Sequence, residues 1–142
     1  MERVPIGEAA RRSGVKVPTI RYYEEIGLMP HPPRSDGNRR RYDERDVKRL
    51  AFIRHARDLG FNIDHIRTLL TLQADPDRPC AEADAIARER LADVERRIAA
   101  LTALKEELER MIGGRHDCID ECRVIEVLAD HGNCLHDHHE AA

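Results

Sequence analysis

The sequence predicts a mainly α fold: a winged helix-turn-helix, then one long helix, then a short C-terminal segment rich in cysteine and histidine. Three features point there. Of the 142 residues, 36% are charged and 4% aromatic, with no Trp, a balance that favours helices with charged outer faces over a sandwich or barrel. Two short amphipathic stretches flank a tight "SGVKV" turn, the layout of a helix-turn-helix. Residues 81–112 contain neither Pro nor Gly, while apolar residues recur at threes and fours.

Each element follows from local signals. In "PIGEAARRSG", Pro5 suits a first helical turn, Ile6, Ala9 and Ala10 form an apolar stripe, and Gly14 offers a stop. Pro18 then opens "PTIRYYEEIG", in which Ile20, Tyr23 and Ile26 share a face and Gly27 terminates. The stretch "LMPHPPRSDGNRRRYDERD" carries three prolines that forbid a helix and an Asp36-Gly37 turn flanked by basic arms, which reads as a β-hairpin wing. Asp43 begins a helix with Val47, Leu50, Ile53 and Leu59 as its apolar face and Gly60 at its end. Asn62 is the expected N-cap of the next helix, with Ile63, Ile66, Leu69 and Leu70 facing inward.

"QADPDRP" ends that pattern, so a DNA-binding domain is expected over 1–74, a hinge loop over 75–80, a dimerisation helix over 81–112, and a metal-binding loop, short helix and His-rich tail over 113–142. The long helix would span about 45 Å at 1.5 Å per residue. Its seam of Leu91, Val94, Ile98, Leu101, Leu104, Leu108 and Met111 must be buried, and the rest of the chain is too small to cover it. A homodimeric coiled coil is expected, with an imperfect heptad between Leu101 and Leu104. Its orientation does not follow from the seam.

The net charge of −3 hides an asymmetry: fourteen Lys and Arg against eight Asp and Glu in residues 1–57, leaving ten against nineteen in the remainder. The basic end suits a polyanion. No apolar run approaches the roughly 18 to 20 residues of a membrane span, and the N-terminus has no signal-peptide core, so a soluble, cytoplasmic protein is expected. Four cysteines in that reducing setting favour thiols or metal ligands over disulfides.

Arg21 and Tyr22 stand opposite Ile20 and Tyr23 on the second helix, where Arg can take base edges or phosphates and a Tyr hydroxyl can hold a phosphate. Arg34, Arg39, Arg40 and Arg41, followed by Tyr42, form the basic wing, suited to backbone contact. Double-stranded DNA is the expected partner.

The ordered series "IGEAARRSGV", "TIRYYEEIGL", "RSDGNRRRY", "DVKRLAFIRHARDLGF" and "IRTLL", closed by a long helix, resembles the MerR family of transcriptional regulators across nearly the whole chain. The resemblance implies a dimer joined by an antiparallel coiled coil, each subunit setting a winged helix-turn-helix on half of a palindromic operator. It implies a promoter whose spacer is overlong, bent and underwound on inducer binding so that RNA polymerase engages both recognition elements. It places Arg21 and Tyr22 as recognition-helix contacts, Arg34, Arg40 and Tyr42 as wing contacts, and Arg54 on the DNA backbone. In one departure, Arg39 stands where family members often carry an aromatic residue.

Cys80 opens the long helix, whose dipole favours a thiolate there. The helix carries the chain about 45 Å onward before Cys118 and Cys122 appear, so Cys80 cannot meet them in its own subunit. In the antiparallel dimer that the resemblance implies, it meets those of the partner. A third thiolate permits trigonal or tetrahedral binding of a divalent ion, whereas two favour linear Cu(I). The resemblance agrees: zinc-, cadmium-, lead- and mercury-sensing members carry a Cys where Cys80 stands, and copper-type sensors do not. The expected inducer is Zn2+, Cd2+, Pb2+ or Hg2+.

His116 is a candidate fourth ligand, as is Cys134 in "HGNCLHDHH", whose histidines could instead merely capture metal. "CRVIEVLADHG" resembles the family's short helix after the metal loop. "CIDEC" is shorter than the loop of zinc and cadmium sensors, so Cys122 matches its closing cysteine better than Cys118 matches its opening one. The expected function is metal-responsive activation of an efflux or resistance gene. The alternatives are a thiol redox sensor, a Cu(I) sensor or a metal-storage protein. An enzyme is not expected: no nucleophile-base pair, P-loop or zinc-hydrolase signature is present.

Overall fold

A computed structural model describes residues 3–31, 41–113, 119 and 122–130. The element order is β1 (Val4–Pro5), α1 (Ile6–Ser13), α2 (Val17–Glu25), β2 (Arg41–Tyr42), α3 (Glu44–Asp58), α4 (Ile63–Gln73), α5 (Ala81–Ile112) and α6 (Arg123–Ala129). The mainly α expectation holds. The chain divides into two compact units, residues 1–87 and 88–142.

In the first unit, α1 ends as its sequence suggests. Gly14 takes a left-handed φ of 77° and its N–H closes on the Ala10 carbonyl at 2.8 Å. That conformation costs a side chain little only when the residue is Gly. Pro5 acts just ahead of the helix rather than inside it: it is the extended N-cap residue and the last residue of β1. In α2, Val17 comes first and Pro18 second, where the missing N–H costs nothing.

Asp43 caps α3 through a reciprocal capping box. Its side chain accepts from the Asp46 N–H at 3.0 Å, and the Asp46 carboxylate accepts from the Asp43 N–H at 3.0 Å. Burial pushes the Asp46 carboxyl up from its ordinary value, while the Asp46 N–H holds that of Asp43 down. Asn62 caps α4 as predicted, accepting from the His65 N–H at 2.7 Å.

The core gathers Ala9 from α1, Ile20 and Tyr23 from α2, Leu28 and Met29 beyond it, Tyr42 from β2, Leu50 and Ile53 from α3, and Ile66 and Leu70 from α4. Leu59 is a correction: it serves as the α3 C-cap and is 56% exposed, the residue at which the helix has ended before Gly60 takes its left-handed φ of 85° and the chain returns to the core through Phe61. The strands add what periodicity could not foresee. β1 pairs antiparallel with β2, Val4 opposite Tyr42 and Pro5 opposite Arg41, so the N-terminal residues complete a two-stranded ribbon. The predicted hairpin turn falls on residues 32–40, outside the described residues.

Helix α5 runs for 32 residues over the range its composition marks out. Leu91, Ile98, Leu101, Leu104 and Leu108 are exposed in the single chain, while Met111 is buried. Helix α6 exposes Ile125 and Leu128. Among the described residues, no helix is long and apolar enough to cross a membrane.

Candidate nucleic-acid interface and metal-ligand residues

Helix α2 presents two unlike faces because its apolar residues recur at helical spacing. Ile20, Tyr23 and Glu24 are buried, which leaves Arg21 and Tyr22 on the outside, Tyr22 half-exposed. The Tyr22 and Tyr23 rings lie 6.1 Å apart at 46°, so the exposed ring is braced by the buried one. The end of α2 is tied by two arginines from the helices behind it. Arg67 on α4 donates to the Ile26 carbonyl at 2.9 Å, and Arg49 on α3 donates to the Leu28 carbonyl at 2.7 Å. The first satisfies a carbonyl that the helix end leaves orphaned, and the second ties the segment just beyond it to α3.

Tyr42 corrects a sequence expectation. It is fully buried, and its hydroxyl donates to the Glu24 carboxylate at 2.5 Å, so it cannot touch a phosphate. The alternation of β2 turns Tyr42 inward and leaves Arg41 half-exposed beside it. Tyr42 therefore joins the ribbon to α2. Glu24 was not foreseen; its place in the Ile20–Tyr23–Glu24 stripe is the signal that marks it as buried.

Arg54 lies exposed on α3, 3.9 Å from Asp58, and its guanidinium crosses over Gly14. A Cβ on Gly14 would fall 1.7 Å from Arg54 Nη1. Gly14 is thus required twice, for its φ and for the room it gives an arginine beside the turn between α1 and α2. Arg34, Arg39 and Arg40 lie outside the described residues.

Of the expected metal ligands, two are described. Cys80 is exposed one residue ahead of α5, with its carbonyl accepting from the Asp84 N–H at 3.0 Å and its thiol 3.8 Å from Asp84 Oδ1. Cys122 is half-buried as the N-cap residue of α6. Cys80 belongs to the first compact unit and Cys122 to the second. His116, Cys118 and Cys134 lie outside the described residues, among which no group of three or more His, Cys, Asp or Glu is gathered. The "CAEAD" spacing puts Asp84 one helical turn beyond Cys80.

A second helix that exposes Arg21 and a braced Tyr22 on a helix-turn-helix, a two-stranded ribbon and a long following helix define a DNA-binding regulator of the winged helix-turn-helix class. The family profile described as "MerR HTH family regulatory protein" matches residues 4–73, and that described as "MerR, DNA binding" matches residues 47–111. The chain is 43% identical to the HTH-type transcriptional regulator ZntR of Escherichia coli (strain K12), over 87% of this chain and 90% of that one. The transcription regulator PbrR691 from Ralstonia metallidurans CH34, solved in complex with lead(II), has a TM-score of 0.74 and 36% identity over 88% of this chain and 98% of that one. The regulator MerR from Bacillus megaterium MB1, solved with mercury(II), has a TM-score of 0.69 and 29% identity over 89% and 100%. The chain belongs to the MerR family of helix-turn-helix transcriptional regulators, and it is a DNA-binding regulator rather than an enzyme.

Proposed function

We propose that this protein is a metal-responsive transcriptional regulator that binds promoter DNA as a homodimer and takes a divalent soft or borderline ion, of the zinc, cadmium, lead or mercury type, as its inducer. The observation that carries the reading is Cys80: an exposed thiol at the opening of α5, in a chain closely similar to a regulator solved with lead(II). The donor set fits such an ion. Cys80 of one subunit and Cys118 and Cys122 of the other would hold it, with His116 or Cys134 as candidate fourth ligands; the ion, when bound, supplies a crosslink among thiolates.

The exposed apolar seam of α5 supports dimerisation, since a row of Leu and Ile at this spacing needs a partner helix. Residues 1–74 act as the DNA-binding domain, 75–80 as a hinge and 81–112 as the dimerisation helix. Arg21 and Tyr22 enter the major groove, Arg34, Arg39, Arg40 and Arg41 grip the backbone from the wing, and Arg54 adds a phosphate contact. Tyr42 serves from inside by holding the ribbon. Metal binding at the loop between the dimerisation helix and the short helix beginning near Cys122 shifts the two DNA-binding domains relative to one another, underwinding an overlong spacer so that RNA polymerase engages it. A cytoplasmic efflux or resistance response is the natural output.

Transcription from a promoter with an overlong spacer, titrated with Zn, Cd, Pb, Hg, Co and Cu(I), tests this. Induction by one or more divalent ions, abolished by Cys80→Ser, is the expected result. Cu(I) as the sole inducer would overturn the divalent assignment, and an undiminished response in Cys80→Ser would overturn the cross-subunit site.

A further inference from the structure

We propose that Asp84 is an oxygen ligand paired with Cys80, so that the first turn of α5 offers the inducing ion a two-point chelate of one sulfur and one oxygen. The inference rests on the metal-sensing reading above and adds a donor that the thiolate set does not contain. Residues four apart share a helix face, and Cys80 Sγ already stands 3.8 Å from Asp84 Oδ1. A tetrahedral zinc ion with sulfur at about 2.3 Å and carboxylate oxygen at about 2.1 Å holds the two donors roughly 3.6 Å apart. The pair therefore needs to close by only a few tenths of an ångström, well within the rotamer freedom of two exposed side chains. The ion replaces the thiol proton between the two atoms, and the proton passes to bulk water.

The neighbouring acid of the same turn is engaged elsewhere, because Glu82 pairs with Arg78. Asp84 is the carboxylate directed at the thiol, and both Cys80 and Asp84 are exposed, leaving them open to ligands brought by another segment. The consequence is selectivity. An oxygen donor suits zinc, cadmium and lead, whereas mercury and Cu(I) are satisfied by few soft thiolates and gain little from a carboxylate. Asp84 biases the site toward the harder members of the inducer series.

The test uses the full-length protein and measures zinc affinity by competition with a chromogenic chelator and mercury affinity by competition with a small thiol. Asp84→Ala should weaken zinc by about tenfold or more, as loss of a supporting carboxylate typically does, and mercury by less than about threefold. Asp84→Asn, which keeps a carbonyl oxygen and the side-chain volume, should fall between, and the 113Cd resonance of Asp84→Ala should move toward the all-sulfur region. Glu82→Ala removes the same charge from the same turn. If Asp84→Ala loses no more zinc affinity than Glu82→Ala, the carboxylate acts through its field alone and the inference fails. If Cys80→Ser abolishes tight zinc binding while Asp84→Ala leaves it intact, only the chelate is wrong. Unaltered zinc binding in Cys80→Ser would remove the cross-subunit site of the proposed function together with it.

Discussion

The Tyr42 hydroxyl donates to the Glu24 carboxylate at 2.5 Å inside the core, joining the ribbon strand to the helix that carries Arg21 and Tyr22. Both side chains are buried, so the bond is shielded from water and from competing salt. Tyr42→Phe keeps the ring packing and removes the donor. The expected cost is about 1–3 kcal/mol, seen as a lower midpoint in thermal denaturation, with Glu24→Gln milder than Glu24→Ala because its amide oxygen still accepts.

Gly14 and Gly27 share a left-handed conformation, φ 77° and 79°, but differ in what overlies them. Alanine at either position pays about 1–2 kcal/mol for the backbone alone. At Gly14 the new Cβ also displaces Arg54, whereas at Gly27 Arg67 Nη1 sits at an ordinary 3.5 Å. Gly14→Ala should therefore lower DNA affinity beyond its effect on stability, and Gly27→Ala should not. Fluorescence anisotropy with a labelled operator checks this, and equal losses in the two variants would remove the role given to Arg54.

Glu8 on α1 is held down from its ordinary 4.5 to about 2, first by its hydrogen bond from Arg11 and then by that from Arg12. Because the folded-state value lies below the unfolded one, the stabilisation is fully present above pH 4.5 and fades as the pH falls toward 2. These ion pairs are solvent-exposed, so the effect is modest and weakened by salt. NMR titration of the Glu8 carboxyl should give a midpoint well under 4.5, and Glu8→Gln should flatten the acid limb of stability against pH. A midpoint at 4.5 would mean that the arginines do not engage Glu8 in solution.

Arg21→Ala should weaken operator binding by about 1–3 kcal/mol if the guanidinium reads a base, and should relax preference at one position. Loss at a phosphate would instead be uniform across sequences and would lower the slope of log affinity against log salt by about 1. Operator variants measured at two salt concentrations separate these outcomes, and an unaffected affinity would take α2 out of the interface.

Removing residues 131–142 tests whether the His-rich end is a store or an accessory. A sensor built on Cys80, Cys118 and Cys122 should retain one tightly held ion per loop after truncation, measured by metal analysis after dialysis. Loss of most bound metal would favour the storage alternative.

Much of the fold was legible because it rests on local signals. Helix stops at Gly14, Gly27 and Gly60, caps at Asp43 and Asn62, and the Pro- and Gly-free run of α5 are each written within a few residues. What escaped depends on partners distant in sequence. Val4 pairs with Tyr42 across nearly forty positions, and no periodicity in a two-residue strand announces it. The burial of Tyr42 is the companion miss: an aromatic following three arginines reads as a surface contact until β2 turns it toward Glu24, 18 residues back. At the candidate site, cysteine spacing marked Cys80 and Cys122, while Asp84 needed the helix to bring its carboxylate beside the thiol.

The pairing of β1 with β2 has a practical consequence for handling the protein. Whatever is fused ahead of Val4 emerges directly from a ribbon strand whose partner carries Arg41 and Tyr42. An N-terminal affinity tag would leave the ribbon past Tyr42, toward the Asp43 cap of α3, and a polyhistidine one would bring its own metal donors. Purification handles are therefore best cleaved before affinity for either operator or ion is measured.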